Sequence, residues 1–582
     1  MPRHAPLDDW VTRLGPETVE EAGEWPAHVC AKVLERGLGD RALTLLSQGA
    51  LCYSDYSGID LTREAIRIIV PALSEAVGQP RPPDVRHVRA SDKGEAQQLV
   101  LSRQAQRSNS GGCVFGDLTT RVAPNAEKWI AQVLEANDGA VSNKNIHVFL
   151  KDNGAWAYRF ASYCHCLAHK QQCPLYPGVY TKFPHPDEDD DSCSPTPPRK
   201  TARKAQQSFS SSAHGTPWWK PLLPFGGRPL VISCAGLTCT DFSPLGHQKR
   251  GSGKEDHVHS IWREERRQLA LAKAEDVFLT ECSPRYPPDV MQGKHLQDTH
   301  TVIHIVFGPE DWGYPARRRR SYSVGLNNAT MVWVGPSEAT AVQKEFDMMF
   351  KRTCEMTGDD LLLASNADVS SWVKERSLRR QTLLPSNHAE LPMSEYMETL
   401  VSPSCMLNHR VNDQLRAEQC DSLNGAFLCD LEQSAHRGTT PGPLVPALST
   451  HSLIYSFKKQ RLAIPSEWFG IQGIDSHSRL WGSRGQSPVV QSTVGVAENT
   501  LRGLLGNALY VPVFAAWFLF AMGNCVRRET PMIPASLTRD DWLDDGAAEV
   551  SEEGIEDLAQ LLEEGLVEVL EDDNEAPTEV LE

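Results

Sequence analysis

A cysteine pair, a glutamate and a run of arginines stand at the ends of apolar segments in this sequence. In "RPLVISCAGLTCTDFSPLG" (228–246), Leu230-Val231-Ile232-Ser233 reads as a short buried strand, and the Gly- and Thr-rich stretch after it as a turn. Cys234 ends the apolar run itself and suits a packed thiol. Cys239 follows the turn, where a strand terminus presents a side chain to a crevice. A thiolate there is a competent nucleophile once its pKa of ~8.5 is lowered or substrate binding forms it. "VFLTECSP" places Glu281 at the end of a second buried strand, where a lone carboxylate is costly without a task or a partner. "ARRRR" (316–320) precedes a third. Alternation along an extended segment puts Arg318 and Arg320 on one side, Arg317 and Arg319 on the other. Nucleophile, carboxyl and guanidinium, each at a strand end, make an active-site constellation.

The elements that must position these groups form an alternating series. "GALCYSDYSG" (49–58), "VRHVRAS" (85–91), "GCVFGDL" (112–118), "DVFLTE" (276–281), "TVIHIVFG" (301–308) and "SYSVGL" (321–326) read as strands. Several are followed by helical stretches, among them "LTREAIRIIVPALSEAVG" (61–78) and "SIWREERRQLALAKA" (260–274). Strands alternating with helices predict an α/β fold with a mainly parallel sheet, its ligands in the crevice beyond the carboxyl ends of the strands.

The 582 residues suffice for a large enzyme with a sizeable core. Fifteen cysteines, an odd number at irregular spacing without a secretory h-region, point to reduced thiols. The net charge of −17 is carried by the tail, because Thr538 to Glu582 holds 18 acidic residues against Arg539 alone, leaving the rest neutral. Basic clusters remain at 197–204, 247–254 and 316–320, a weak electrostatic pointer to nucleic acid. "ALYVPVFAAWFLFAMG" (508–523) has 16 residues, short of the ~20 that span a bilayer, with Pro512 near its start. It is expected to be a buried helix, and no membrane partner is expected.

In order along the chain, these segments resemble the motifs of the cytosine-C5 methyltransferases that use S-adenosylmethionine. "SDYSGID" (54–60) is similar to the first cofactor turn, "RASDKGEA" (89–96) to the acidic second motif and "VFGDL" (114–118) to the third. "CAGLTCTDFSPLG" resembles the nucleophile motif, "LTECS" the glutamate motif and "YPARRRRSYSVG" the arginine motif. "QRLAIPSEWFGIQGI" (460–474) and "LLGNALYVPVF" (504–514) resemble the two closing motifs. The resemblance implies a Rossmann-like methyltransferase sheet with an inserted target-recognition domain. It places a cofactor-binding part at 42–140 and a catalytic part at 228–336, while a helical lead-in (1–41) and an insertion (141–227), read from the residues, lie outside the resemblance. A target-recognition region (337–452), a closing part (453–527) and an acidic tail (528–582) complete the chain.

It also implies roles. Cys239 would add to C6 of cytosine, Glu281 would hold N3 and the exocyclic amine, and Arg320 with Arg318 would stabilise charge at O2. S-adenosylmethionine would meet Tyr56, Ser57, Gly58 and Leu118, with Asp92 on the ribose, Asp117 at the adenine amine, and Asn507 and Ala508 at the methionine end. The substrate expected is DNA, with a flipped target base, in a nuclear setting; the alternatives are tRNA, or a catalytically weak nucleic-acid-binding or regulatory protein. "KERSLRRQ" (374–381) is available for phosphates, and the acidic tail for a basic protein partner. Thr238 and Thr240 replace the proline and glutamine that usually flank the nucleophile, and Cys282-Ser283 the Asn-Val that usually follows the glutamate. In the insertion, Cys166, His169 and Cys173 fall at helical spacing. Structural zinc usually takes two separated ligand pairs, so a helix packing small thiols is expected and no metal ligand is assigned.

Overall fold

The computed structural model describes residues 13–107, 112–121, 163–176, 228–237, 257–286, 288, 292, 296–419, 425–434, 441–476 and 486–528. All of them lie in one unit, Met1–Arg528. Cys239, most of the insertion and the acidic tail lie outside the described residues.

The α/β expectation holds. Strands β1 (Ala50–Asp55), β2 (Val85–Ser91), β3 (Cys113–Phe115), β6 (Leu230–Gly236), β7 (Val277–Cys282), β8 (His300–Phe307) and β9 (Arg320–Asn327) form a seven-stranded sheet in the order β3-β2-β1-β6-β7-β9-β8. Strands β4 (Tyr163–Cys166) and β5 (Gln171–Pro174) form a separate two-stranded sheet. The first five run parallel, and β9 enters antiparallel between β7 and β8. The order reverses between β1 and β6, the switch point at which open α/β sheets bind ligands. The fold is a doubly wound, Rossmann-like α/β sheet.

Central strands are buried on both faces, which is why β1, β6 and β7 read as apolar runs rather than alternating ones. Helix α1 (Leu61–Ala76) turns Leu61, Ala65, Ile66, Ile69, Val70 and Leu73 into the core, the 3.6-residue pattern seen in its sequence. Gly325 of β9 is required where it stands: a Cβ there would lie 2.0 Å from the Phe278 ring on β7. The apolar segment forms a helix from Val511 to Gly523, with Pro512 in its first turn and every residue buried in the same core. No side of it is left for lipid.

Three features depart from the sequence reading. Cys166 and Cys173 do not share a helix, since Tyr163–Cys166 (β4) and Gln171–Pro174 (β5) pair as an antiparallel hairpin. Alternation and helical periodicity are indistinguishable over so few residues. The region after 337, whose sequence is rich in Ser, Pro, Leu and His and lacks a clear strand–helix alternation, is more regular than that composition suggests. Ala339–Phe350 is a helix whose Val342, Phe346, Met349 and Phe350 join the main core, whereas Trp372 to Ile464 contribute a second core of their own. Lastly, the "KERSLRRQ" arginines already have protein partners. Arg376 pairs with Glu498, Arg379 approaches the same carboxylate at 2.6 Å, and Arg380 donates to Val401 O at 2.9 Å.

Candidate active site

Beyond the carboxyl ends of β1, β2, β3, β6 and β7 lies a cavity of ≈ 220 Å³. Its wall begins at the turn after β1. Tyr56 (φ 49°) and Gly58 (φ 56°) take left-handed backbone, open without strain only to glycine, and both line the cavity. Ser57 staples the turn rather than facing the cavity: its N–H donates to Ser91 O at 3.0 Å, and its Oγ accepts the Ser91 N–H at 3.0 Å. The Gly58 N–H donates to Asp92 Oδ2 at 2.9 Å, and the Gly94 N–H to Oδ1 at 3.0 Å. These bonds aim the Asp92 carboxylate at the cavity, and two of its roughly four acceptor sites remain for a ligand. Burial pushes the Asp92 carboxyl above its usual range, against the lowering effect of those two N–H groups. Asp117 follows β3, its Oδ1 accepting the Thr119 N–H at 2.9 Å, and with Leu118 lines the same space.

The carboxyl end of β7 and the approach to β9 carry the groups expected to do chemistry. Glu281 is 5% exposed, and Arg320 Nε stands 2.9 Å from its Oε1. The N–H is not aimed at that oxygen, so the contact is an ion pair rather than an aligned hydrogen bond. Arg318 and Arg320 both line the cavity, while Arg319 is turned outward near Asp311 at 3.8 Å. The alternation arises because 441–448 runs alongside: Arg317 N–H donates to Val445 O at 2.9 Å, and Arg318 Nη1 to Leu448 O at 3.1 Å and Gly506 O at 3.2 Å. Arg318 thereby ties the arginine segment to the loop carrying Asn507, which also lines the cavity; Ala508 is buried in the core behind it.

The chain leaves β6 at Gly236 and Leu237, both on the cavity wall, and the Leu237 N–H donates to Glu281 O at 2.8 Å. Cys239 lies two residues farther on, outside the described residues. Lys93, Gln97 and Val258 also line the cavity and were missed from sequence, and so do Cys282 and Ser283, noted there only as departures beside the glutamate. Lys93 adjoins Asp92, so adjacency was its only signal.

A buried ionic network under the first turn was missed altogether. Asp55, the last residue of β1, meets Arg121 Nη2 at 2.7 Å, Arg89 Nη2 at 3.0 Å and Ser91 Oγ at 2.7 Å. Glu265 joins through Arg121 at 3.1 Å and Arg266 at 2.9 Å, and Glu275 meets Arg266 at 2.8 Å. Burial works to raise the Asp55 carboxyl, but Arg121, Arg89 and Arg266 outweigh it and hold the group below the usual carboxylate range.

Solved structures of similar fold include the Entamoeba histolytica methyltransferase EhMeth, 10% identical, TM-score 0.35, with 81% of this chain and 98% of that one covered. They also include Spodoptera frugiperda DNMT2 in a triple-mutant form, 11% identical, TM-score 0.33, covering 81% and 100%. A third is the S. pombe Dnmt2 methyltransferase, 10% identical, TM-score 0.31, covering 81% and 97%. No family model and no curated protein matches the sequence.

Proposed function

We propose that this chain transfers a methyl group from S-adenosylmethionine to C5 of cytosine in DNA, through a covalent bond between Cys239 and C6. The observation that supports this reading most is the single cavity. The Glu281–Arg320 pair, from strands on one side of the switch point, and the Asp92 and Asp117 carboxylates, from the other side, line the same space. Two strand-end carboxylates fit the hydroxyl and amine donors of a nucleoside, so Asp92 would hold the ribose and Asp117 the adenine. Bound S-adenosylmethionine supplies an electrophilic methyl group on a sulfonium.

The Cys239 thiolate adds to C6 and places an electron pair at C5, which is otherwise a poor nucleophile. Glu281 engages N3 and the exocyclic amine of the ring, while Arg320 and Arg318 stabilise the charge that grows at O2. Arg320 also orients Glu281 through their 2.9 Å contact. After C5 takes the methyl group, its proton passes to water and the S–C6 bond breaks, returning the thiolate and the ring double bond. A DNA substrate is supported by the additional hydrophobic cluster drawn from residues between Trp372 and Ile464, extra structure for reading sequence context, and a nuclear setting is proposed with it.

Labelled S-adenosylmethionine offered with duplex DNA and with tRNA tests the reading. Label should enter DNA, and an oligonucleotide containing 5-fluorocytosine should give a covalent adduct stable to denaturation. Label in tRNA alone would reassign the substrate. Cofactor binding with no transfer to either would leave a binding protein. Independently, Asp92→Ala should weaken S-adenosylmethionine binding about 10- to 100-fold by calorimetry, the loss of one or two hydrogen bonds to a charged group. An unchanged affinity would remove Asp92 from the site.

A further inference from the structure

We infer that Cys113, Cys166, His169 and Cys173 form a structural zinc site that clamps the β4–β5 hairpin to the outer strand of the sheet. Their four ligand atoms all lie within 4.8 Å of one another. The His169 Nδ1 stands 3.6 Å from Cys113 Sγ, 3.3 Å from Cys166 Sγ and 3.4 Å from Cys173 Sγ. With Zn–S of about 2.3 Å and Zn–N of about 2.0–2.1 Å, a tetrahedral ion sets its sulfur and nitrogen ligands about 3.5–3.6 Å apart. Hydrogen bonding does not account for the arrangement, because one ring nitrogen carries at most one proton and directs it at one acceptor. Three sulfurs gathered around one nitrogen is the outline of a coordination shell, and a Cys₃His donor set selects zinc among common divalent ions.

The surroundings suit a metal centre. Cys113, Cys166 and Cys173 are buried, and Phe115, Leu175, Leu269 and Ala274 pack around them. The Val114 N–H points at Cys166 Sγ at 3.4 Å, the kind of backbone support that a ligating thiolate takes from its neighbours. Cys166 and His169 sit at the start and within the turn of the hairpin, where Lys170 adopts φ 53°. The fourth ligand stands 56 residues before His169, on β3.

The clamp has a consequence for the cavity. Cys113 begins the strand that leads to Asp117, and the hairpin leads directly to Leu175 and Tyr176. Leu175 O accepts from Arg89 Nη1 at 3.2 Å, and Tyr176 hydrogen-bonds Glu265, so zinc would hold in place the groups that close the buried network beneath the first turn.

The test is elemental analysis of the full-length chain, purified under reducing conditions, supplied with zinc and freed of loose ions. About one zinc per chain is expected. Cys113→Ser and His169→Ala should each lower that content severalfold, while Cys164→Ser, altering the cross-strand neighbour of Cys173 that is not one of the four, should retain it. Because a ligand variant can fail to fold, cobalt is also exchanged into the wild-type chain. Intense visible bands of tetrahedral Co²⁺ with sulfur charge transfer are expected. Folded chain without stoichiometric zinc, octahedral cobalt spectra, zinc retained in folded Cys113→Ser, or a disulfide between any two of the three cysteines would each overturn the assignment.

Discussion

Replacing Cys239 by alanine should abolish methyl transfer, and Glu281→Gln should slow it by about 10²- to 10⁴-fold, the usual range for a positioned acid–base group. Both variants should bind S-adenosylmethionine within about threefold of wild type, because Glu281 ends β7, across the switch point from the strands that lead to Asp92 and Asp117. Glutamine keeps the size of the side chain but neither the charge that pairs with Arg320 at 2.9 Å nor the proton a carboxyl can share with a ring nitrogen. The loss should therefore appear in kcat with little change in cofactor affinity, measured by single-turnover transfer and calorimetry. Glu281→Gln with unimpaired turnover would remove it from the reaction. Cys239→Ala with unimpaired turnover would remove the covalent step.

Asp55→Asn should destabilise the fold by about 3–5 kcal/mol in denaturant titrations, since removing one partner of a buried ion cluster leaves the others uncompensated. Asp55 receives Arg89 and Arg121 together with the Ser91 hydroxyl, and none of these groups is open to water. An asparagine offers one oxygen where two carboxylate oxygens now accept, and its amide would face guanidinium groups. The pH dependence follows from the direction of the shift. Asp55 titrates lower folded than unfolded, so its contribution is complete above the unfolded value of about 3.9 and is lost as pH falls below it. Wild type should thus lose stability more steeply than Asp55→Asn on acidification from pH 5 toward pH 2. Parallel curves for the two proteins would rule out Asp55 as the source.

Much of the site was legible because its chemistry sits at the ends of strands. A buried parallel strand must be almost wholly apolar, so a polar residue at its end, such as Glu281, is conspicuous in the sequence itself. Alternation of the extended backbone similarly separated Arg318 and Arg320 from Arg319, and they do line the cavity while Arg319 turns away. The apolar stretch after residue 507 was legible from its length, and it is a helix buried on all sides.

The clusters assembled from distant segments were not legible. The charges around Asp55 come from β2, from the turn after β3 and from the helix His257–Leu271, and each alone reads as a solvated side chain. The arginines of 374–381 read as free for phosphates until Glu498, more than a hundred residues later, is seen to bind Arg376 and Arg379. Cys166, His169 and Cys173 could be counted, but their hairpin and Cys113 could not, because a tetrahedral site is defined by distances in space. Local pattern and backbone periodicity therefore determined which residues stand at strand ends and which segments are buried. Only the tertiary structure decided which charges and thiols meet, because burial makes an ionised or metal-binding group depend on partners that strand order, not sequence distance, brings within a few ångströms.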